Sequence, residues 1–326
     1  MPRMSSLPQH SRSSTFWSES AEGLHRIWWG VRYGQPLALL GGRLTRKDEY
    51  LAWFDTVESP VLRHTAGQWS FCRRAPTMVG AQAFNFFGIE RVLSDNRGWH
   101  WRPWGENWLR NLHAFDDLVA DGAEARFEWH EKLITNWIVA NAPGKGVGWQ
   151  SYSLARRIVN WIKWQVDRDG LNEVGRRNLV VQTRFLRQRL GASLNVAYPA
   201  KAAKALVFAG AFFEGQEAAG WRKTGVAVLR TVLRSGYFRA RLEASDRYRN
   251  ALVEDLLDLI QLDKMYPGLL DKEEVQRWQD LLPPLLAVAG DDLNPPEEES
   301  DAVVFPEPSA QDLRLYAQRL GLASAG

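Results

Sequence analysis

Residues Gly148–Trp164 read GWQSYSLARRIVNWIKW, and this stretch decides how the rest of the chain is read. Taken as a helix, it places Leu154, Ile158, Trp161 and Ile162 on one apolar stripe. Arg157, Asn160 and Trp164 stand three or four residues apart on another, so they face the same way. Arg157 can clamp a carboxylate or sulfate through two parallel hydrogen bonds. Asn160 offers both a donor and an acceptor. Trp149 and Tyr152 sit at the helix entrance, where flat rings can stack on a sugar. The plainer alternative is an amphipathic helix whose polar face meets water.

Working outward, apolar residues recur at helical spacing near 105–121, 126–141, 172–191, 199–214, 217–235, 245–264 and 272–289. Short punctuations separate these segments, such as Asn141-Ala142-Pro143-Gly144 and Asp169-Gly170. No alternating strand run longer than about five residues stands out. The fold class is therefore all-α, and consecutive helical hairpins suggest a solenoid or an (α/α) toroid. Residues 1–20 read as a mobile tail and 21–80 as an N-terminal helical extension, irregular from 60 onward. The main domain runs over 81–326. Asp291–Pro308 (DDLNPPEEESDAVVFPEP) is an acidic, Pro-rich loop, followed by a short helix over Gln311–Leu320.

Composition narrows the function. The 326 residues suffice for a substantial core. A net charge of +3, spread over residues such as Arg156, Arg157, Lys163, Arg187, Arg189, Arg230 and Arg234, is no concentrated basic patch. Nucleic acid is not an expected partner. Most of these cations read as decoration of solvated helix faces. The single cysteine, Cys72, excludes an internal disulfide framework or a thiolate metal cluster, and no metal is expected. The N-terminus lacks the apolar stretch of a secretory signal, and no segment approaches a membrane span, so the expected compartment is the cytoplasm. The unusual number is 16 tryptophans. Trp99, Trp101, Trp104 and Trp108 fall within ten residues, too close for all four to be buried with ease.

Two further motifs carry titratable groups. Asn111-Leu112-His113-Ala114-Phe115-Asp116 places His113 as a candidate acid/base. Glu243-Ala244-Ser245-Asp246-Arg247-Tyr248 leads into Leu252–Leu259. Ser245 or Asp246 caps that helix, and Tyr248 sits in its first turn, where the helix dipole favours an anion. For His113 and Tyr248 alike, a packing role is the plain alternative.

In this order, these segments resemble the N-terminal α/α toroid of the heparinase II/III-like polysaccharide lyases. The likeness runs through FNFFG from Phe84, NLHAFD at Asn111–Asp116, Gly148–Trp164, KALVFAGAFF at Lys204–Phe213, Tyr248–Leu262 and Tyr316–Gly321. It implies an incomplete (α/α) toroid, no cofactor, and an acidic, uronate-containing polysaccharide as partner. It also implies β-elimination: a base removes the C5 proton, a tyrosine serves as acid, and Asn, Arg or protonated His neutralises the uronate carboxylate. Carried over residue by residue, the tyrosine is Tyr248, with Glu243 and Ser245 retained. Asn111, Trp149, Tyr152, Arg157, Asn160, Trp164 and Glu243 are expected to bind substrate, as are Asn195 and Tyr198, which lie near a family Asn-His pair. The likeness also allows a periplasmic location.

The departures have chemical weight. The Asn-His positions fall at Ala197 and Tyr198, with Asn195 out of register. Arg249 follows the motif tyrosine where a histidine is usual, and Ser235-Gly236 stands for an Asp-Gly. His130 is the last histidine in the sequence. Such lyases carry a β-sandwich after the toroid that contributes a histidine. Here a partner protein is the expected source of that domain. Two expectations follow: a lyase relying on Tyr248, His113, Arg157 and Asn160, or a catalytically inactive toroid that binds polysaccharide or scaffolds a partner.

Overall fold

The computed structural model describes residues 60–190, 199–293 and 306–322, with the Tyr237 side chain left aside. The tail, the helices expected before residue 57, Asn195 and Tyr198 lie outside the described residues. Among the described residues ten α-helices dominate: α1 (Glu106–Leu112), α2 (Phe127–Ala140), α3 (Ser151–Arg168), α4 (Glu173–Leu190) and α5 (Pro199–Phe212) come first. α6 (Gln216–Arg234), α7 (Gly236–Ala244), α8 (Asp246–Met265), α9 (Lys272–Ala287) and α10 (Ala310–Arg319) complete them. The class is all-α, as the periodicity indicated, and successive helices from α3 to α9 pack against one another.

Three helices form the centre. Every residue is buried from Tyr152 to Gln165 in α3, from Pro199 to Phe212 in α5, and from Asn250 to Leu262 in α8. The two-stripe reading of α3 needs correction here. Its apolar stripe is in the core, but so is its polar stripe, because other elements supply polar partners to it. α5 and α6 approach closely through two glycines. A Cβ at Gly210 would stand 2.5 Å from the Ala218 carbonyl oxygen, and one at Gly225 would stand 2.6 Å from that of Ala203.

The helix expected over 105–121 is broken. Phe115 takes a left-handed conformation (φ 60°) that splits α1 from a 3-10 turn at Asp116–Val119. Helical backbone cannot pass through such a residue. α7 was not anticipated.

A small antiparallel sheet precedes α1, with β1 (Met78–Gly80), β2 (Ala83–Phe86) and β3 (Ile89–Val92) in that order. Its strands of three and four residues are too short to register as alternation. Phe84 and Phe86 point inward, and Phe86 meets Trp108 edge-on at 5.0 Å. Asp117 ties the sheet down by accepting from the Thr77 and Met78 amides at 2.6 and 2.9 Å. The expected boundary at residue 81 therefore runs through a β-hairpin. Residues 60–80 also reach the main body: Arg63 Nε donates to the Ala211 carbonyl at 3.0 Å, and Trp69 and Cys72 are in the core. No helix among the described residues is long and apolar enough to cross a membrane.

Candidate functional site

Two polar assemblies lie inside the helical body, and α3 contributes neighbouring arginines to each. The first is built on aromatic rings. Tryptophan at 137 and histidine at 113 interlock: Trp137 Nε1 donates to His113 Nδ1 at 2.9 Å, so the ring proton sits on Nε2 and faces the Trp99 carbonyl at 2.9 Å. Burial, followed by the nearby Arg157 charge, pushes the His113 pKa down to about 3. The imidazole is thus neutral at ordinary pH with both nitrogens engaged. Gly148 is required beside it, since a Cβ there would stand 2.6 Å from His113 Nδ1.

Arg157 completes this assembly. Its guanidinium lies over the Trp137 ring, 3.9 Å from the centroid. Nε donates to Gln182 Oε1 and one terminal nitrogen to the His113 carbonyl, both at 2.9 Å. The other terminal nitrogen is buried without a hydrogen-bond partner. Burial depresses its pKa well below the ordinary arginine value. Neutral oxygens and an aromatic face, rather than a carboxylate, hold this cation.

The second assembly is ionic. Arg156 makes two hydrogen bonds to Asp116, at 3.1 and 2.8 Å, and Asn160 donates to the same carboxylate at 2.8 Å. One turn on from Asn160, Lys163 donates to Asp258 at 2.6 Å, and Lys204 of α5 bridges Asp258 and Asp255. Lys201 bonds Asp255 at 2.9 Å, and Arg74 pairs with Glu254 at 2.5 Å. Tyr316 donates to Asp258 at 2.8 Å. Burial opposes charge on Asp116, Glu254 and Asp258, yet the facing cations hold all three below the usual carboxylate range. Burial lowers Lys163 despite Asp258, whereas Asp255 and Asp258 outweigh burial and raise Lys204. A cavity of about 20 Å³ sits among Arg74, Arg156, Asn160, Lys163, Lys201, Lys204 and Glu254. That is room for about one water molecule and not for a sugar ring.

Several expected site residues have other places in the structure. Trp164 is fully buried, stacked at 5.2 Å on Phe127, and Trp149 packs at 5.0 Å against Phe185. Both are core fillers, so the platform reading is corrected for them. Asn111 is buried and donates to the Asn107 carbonyl at 2.8 Å. Arg157 and Asn160 do not share an open face; they belong to the two separate assemblies. Tyr248 is buried in the first turn of α8 with Arg241 over its ring and against its hydroxyl. Ser245 occupies the cap position without a side-chain hydrogen bond, and the Glu243 side chain is exposed. Of the four clustered tryptophans, Trp99 and Trp108 are buried, Trp104 is half-buried and Trp101 is 50% exposed. Arg187, Arg189, Arg230 and Arg234 are exposed as expected, but Arg156, Arg157 and Lys163 are not.

The sequence did hold a signal for the ionic assembly. Arg156, Asn160 and Lys163 recur at helical spacing, as do Lys201 with Lys204 and Glu254 with Asp258, each inside an otherwise apolar helix. Polar residues on one face of a helix with apolar surroundings point to a matched partner as much as to solvent. Glu307, within the stretch expected to be an acidic loop, is buried: Tyr152 Oη donates to it at 3.0 Å and Arg156 at 3.3 Å. Compared with family models, curated proteins and solved structures, the chain matches none.

Proposed function

We propose that the protein is a heparinase II/III-like toroid that binds an acidic, uronate-containing polysaccharide without cleaving it. The substrate class rests on the ordered sequence resemblance described above. The absence of turnover rests on one observation: the two groups assigned to proton transfer occupy separate, closed surroundings. His113 is neutral within the Trp99–Trp137 cage, and Tyr248 lies against Arg241. β-Elimination needs a base, an acid and a carboxylate neutraliser around one sugar ring. Loss of a single positioned acid/base group costs about a hundred- to ten-thousand-fold in rate. Here both are diverted, Arg157 is buried against the Trp137 face, and Arg156 and Lys163 are already matched by internal carboxylates.

The test pairs two readouts on alginate-, heparosan- and hyaluronan-like polymers. Ultraviolet absorbance follows unsaturated uronate, and a glycan array follows binding. Retention of acidic glycans with flat absorbance supports the proposal. Rising absorbance overturns the non-catalytic part, and indifference to every acidic glycan overturns the binding part.

A further inference from the structure

The segment Pro306-Glu307-Pro308 is fastened into the ionic assembly at three points. Arg74 donates to the Pro306 carbonyl at 2.6 Å, and Asn250 donates to the Pro308 carbonyl at 3.0 Å. Between them, the Glu307 carboxylate accepts from Tyr152 and Arg156 through Oε1, while Oε2 lies 3.9 Å from Lys201 Nζ. Oε2 is buried and has no hydrogen-bond partner. Among the described residues, the assembly sets five cations (Arg74, Arg156, Lys163, Lys201, Lys204) against five carboxylates (Asp116, Glu254, Asp255, Asp258, Glu307). Four of those carboxylates stand on α8 or follow α1 directly. Glu307 alone comes from outside that framework, on a short run whose two prolines donate no backbone hydrogen bond.

We propose that Glu307 is a built-in stand-in for an acidic ligand, and that Tyr152, Arg156 and Lys201 form a carboxylate-binding site which an incoming uronate opens by displacing residues 306–308. The inference rests on the binding reading above for its choice of ligand. Three observations carry it. Removing Glu307 leaves the assembly one positive charge in excess, and one carboxylate restores neutrality. The donor set is that of a carboxylate clamp: a guanidinium, an ammonium and a phenol converging on one acid. Arg74, Arg156 and Lys201 also line a neighbouring cavity of about 20 Å³, which is too small to admit a sugar ring.

The experiment compares the full chain with Glu307→Gln, which keeps the side chain's shape and removes its charge. Calorimetric titration uses three probes: oligogalacturonate, a neutral maltooligosaccharide, and acetate as the carboxylate alone. Hydrogen exchange at the Glu307, Ser309 and Ala310 amides of the wild-type protein reads displacement directly and is independent of whether the variant folds. The expected result is at least tenfold tighter oligogalacturonate binding by Glu307→Gln, no change with the neutral sugar, and faster exchange at the three amides when oligogalacturonate is added. Reverting the gain with Tyr152→Phe in the variant background ties it to this clamp. Equal affinity in both proteins with unchanged exchange overturns the stand-in role and leaves the binding proposal intact. Acetate binding gained by the variant, without oligogalacturonate binding by either protein, upholds the clamp and overturns the polysaccharide reading. No carboxylate binding by either protein, with unchanged exchange, overturns both.

Discussion

Arg156 and Arg157 are sequence neighbours, both buried, and the molecule accommodates them in opposite ways. Arg156 is matched by a carboxylate in two-point geometry and joins a ten-group ionic assembly. Arg157 has no carboxylate, only a tryptophan face and two neutral oxygens. The difference teaches that two adjacent positions on one helix point into different interiors. α3 is a partition between an aromatic compartment and an ionic one, not a wall facing a cleft. It also sets what each side loses when a partner is removed. Breaking an ion pair strands a buried charge, whereas removing Arg157 strands only neutral acceptors.

The largest effect is expected in the ionic compartment. Asp258→Asn leaves Lys163 and Lys204 without their shared carboxylate and should cost about 3–5 kcal/mol, read from urea denaturation. Next comes the direct contrast between the arginines. Arg156→Met should cost about 3–5 kcal/mol because Asp116 and Glu307 both lose their buried guanidinium. Arg157→Met, which keeps the stem volume, should cost about 1–3 kcal/mol. Equal losses, or a larger loss at Arg157, would dissolve the distinction.

Acidity sharpens the aromatic side. His113 has a folded-state pKa below its unfolded value, so the unfolded chain binds the extra proton first. Stability from this group is whole above pH 6.5 and falls as pH drops from there toward about 3, by about 1.4 kcal/mol per unit. The depressed carboxylates Asp116, Glu254 and Asp258 add their own losses only once the pH is low enough to protonate unfolded carboxylates. His113→Asn should flatten the dependence of the urea midpoint between pH 6.5 and 5. An unchanged slope would mean that another group titrates there. The smallest effect belongs to Trp101, which is half exposed: Trp101→Ala should change stability by no more than about 0.5 kcal/mol, against about 3–5 kcal/mol for Trp99→Ala.

Much of the fold was legible because long helices carry a strong periodic signal. The bounds expected near 126–141, 172–191, 199–214 and 217–235 fall close to α2, α4, α5 and α6. Where the reading failed, a tertiary contact had overridden the local pattern. Phe115 interrupts a helical run to stack on Trp99 and meet Trp161 edge-on. The β-hairpin escaped because strands of three or four residues leave no period to detect. At the site, helical spacing placed Arg157, Asn160 and Trp164 on one side of α3, but spacing says nothing of what lies opposite. Asp116 meets Asn160, while Trp137 and Phe127 cover Arg157 and Trp164, so residues from other elements turn that side into interior. A buried acid in a Pro-rich acidic stretch is the hardest case, since composition there points to solvent.

The central claim, that the residues suited to elimination are built into the interior, is tested most directly at His113. Nitrogen NMR of the imidazole in the wild-type protein, followed from pH 8 to 5, reads both tautomer and charge. The account predicts one neutral tautomer with the proton on Nε2 and no titration across that range. An imidazole that titrates near 6.5, or exchanges its proton between the two nitrogens, would contradict it and return His113 to the candidates for acid/base chemistry.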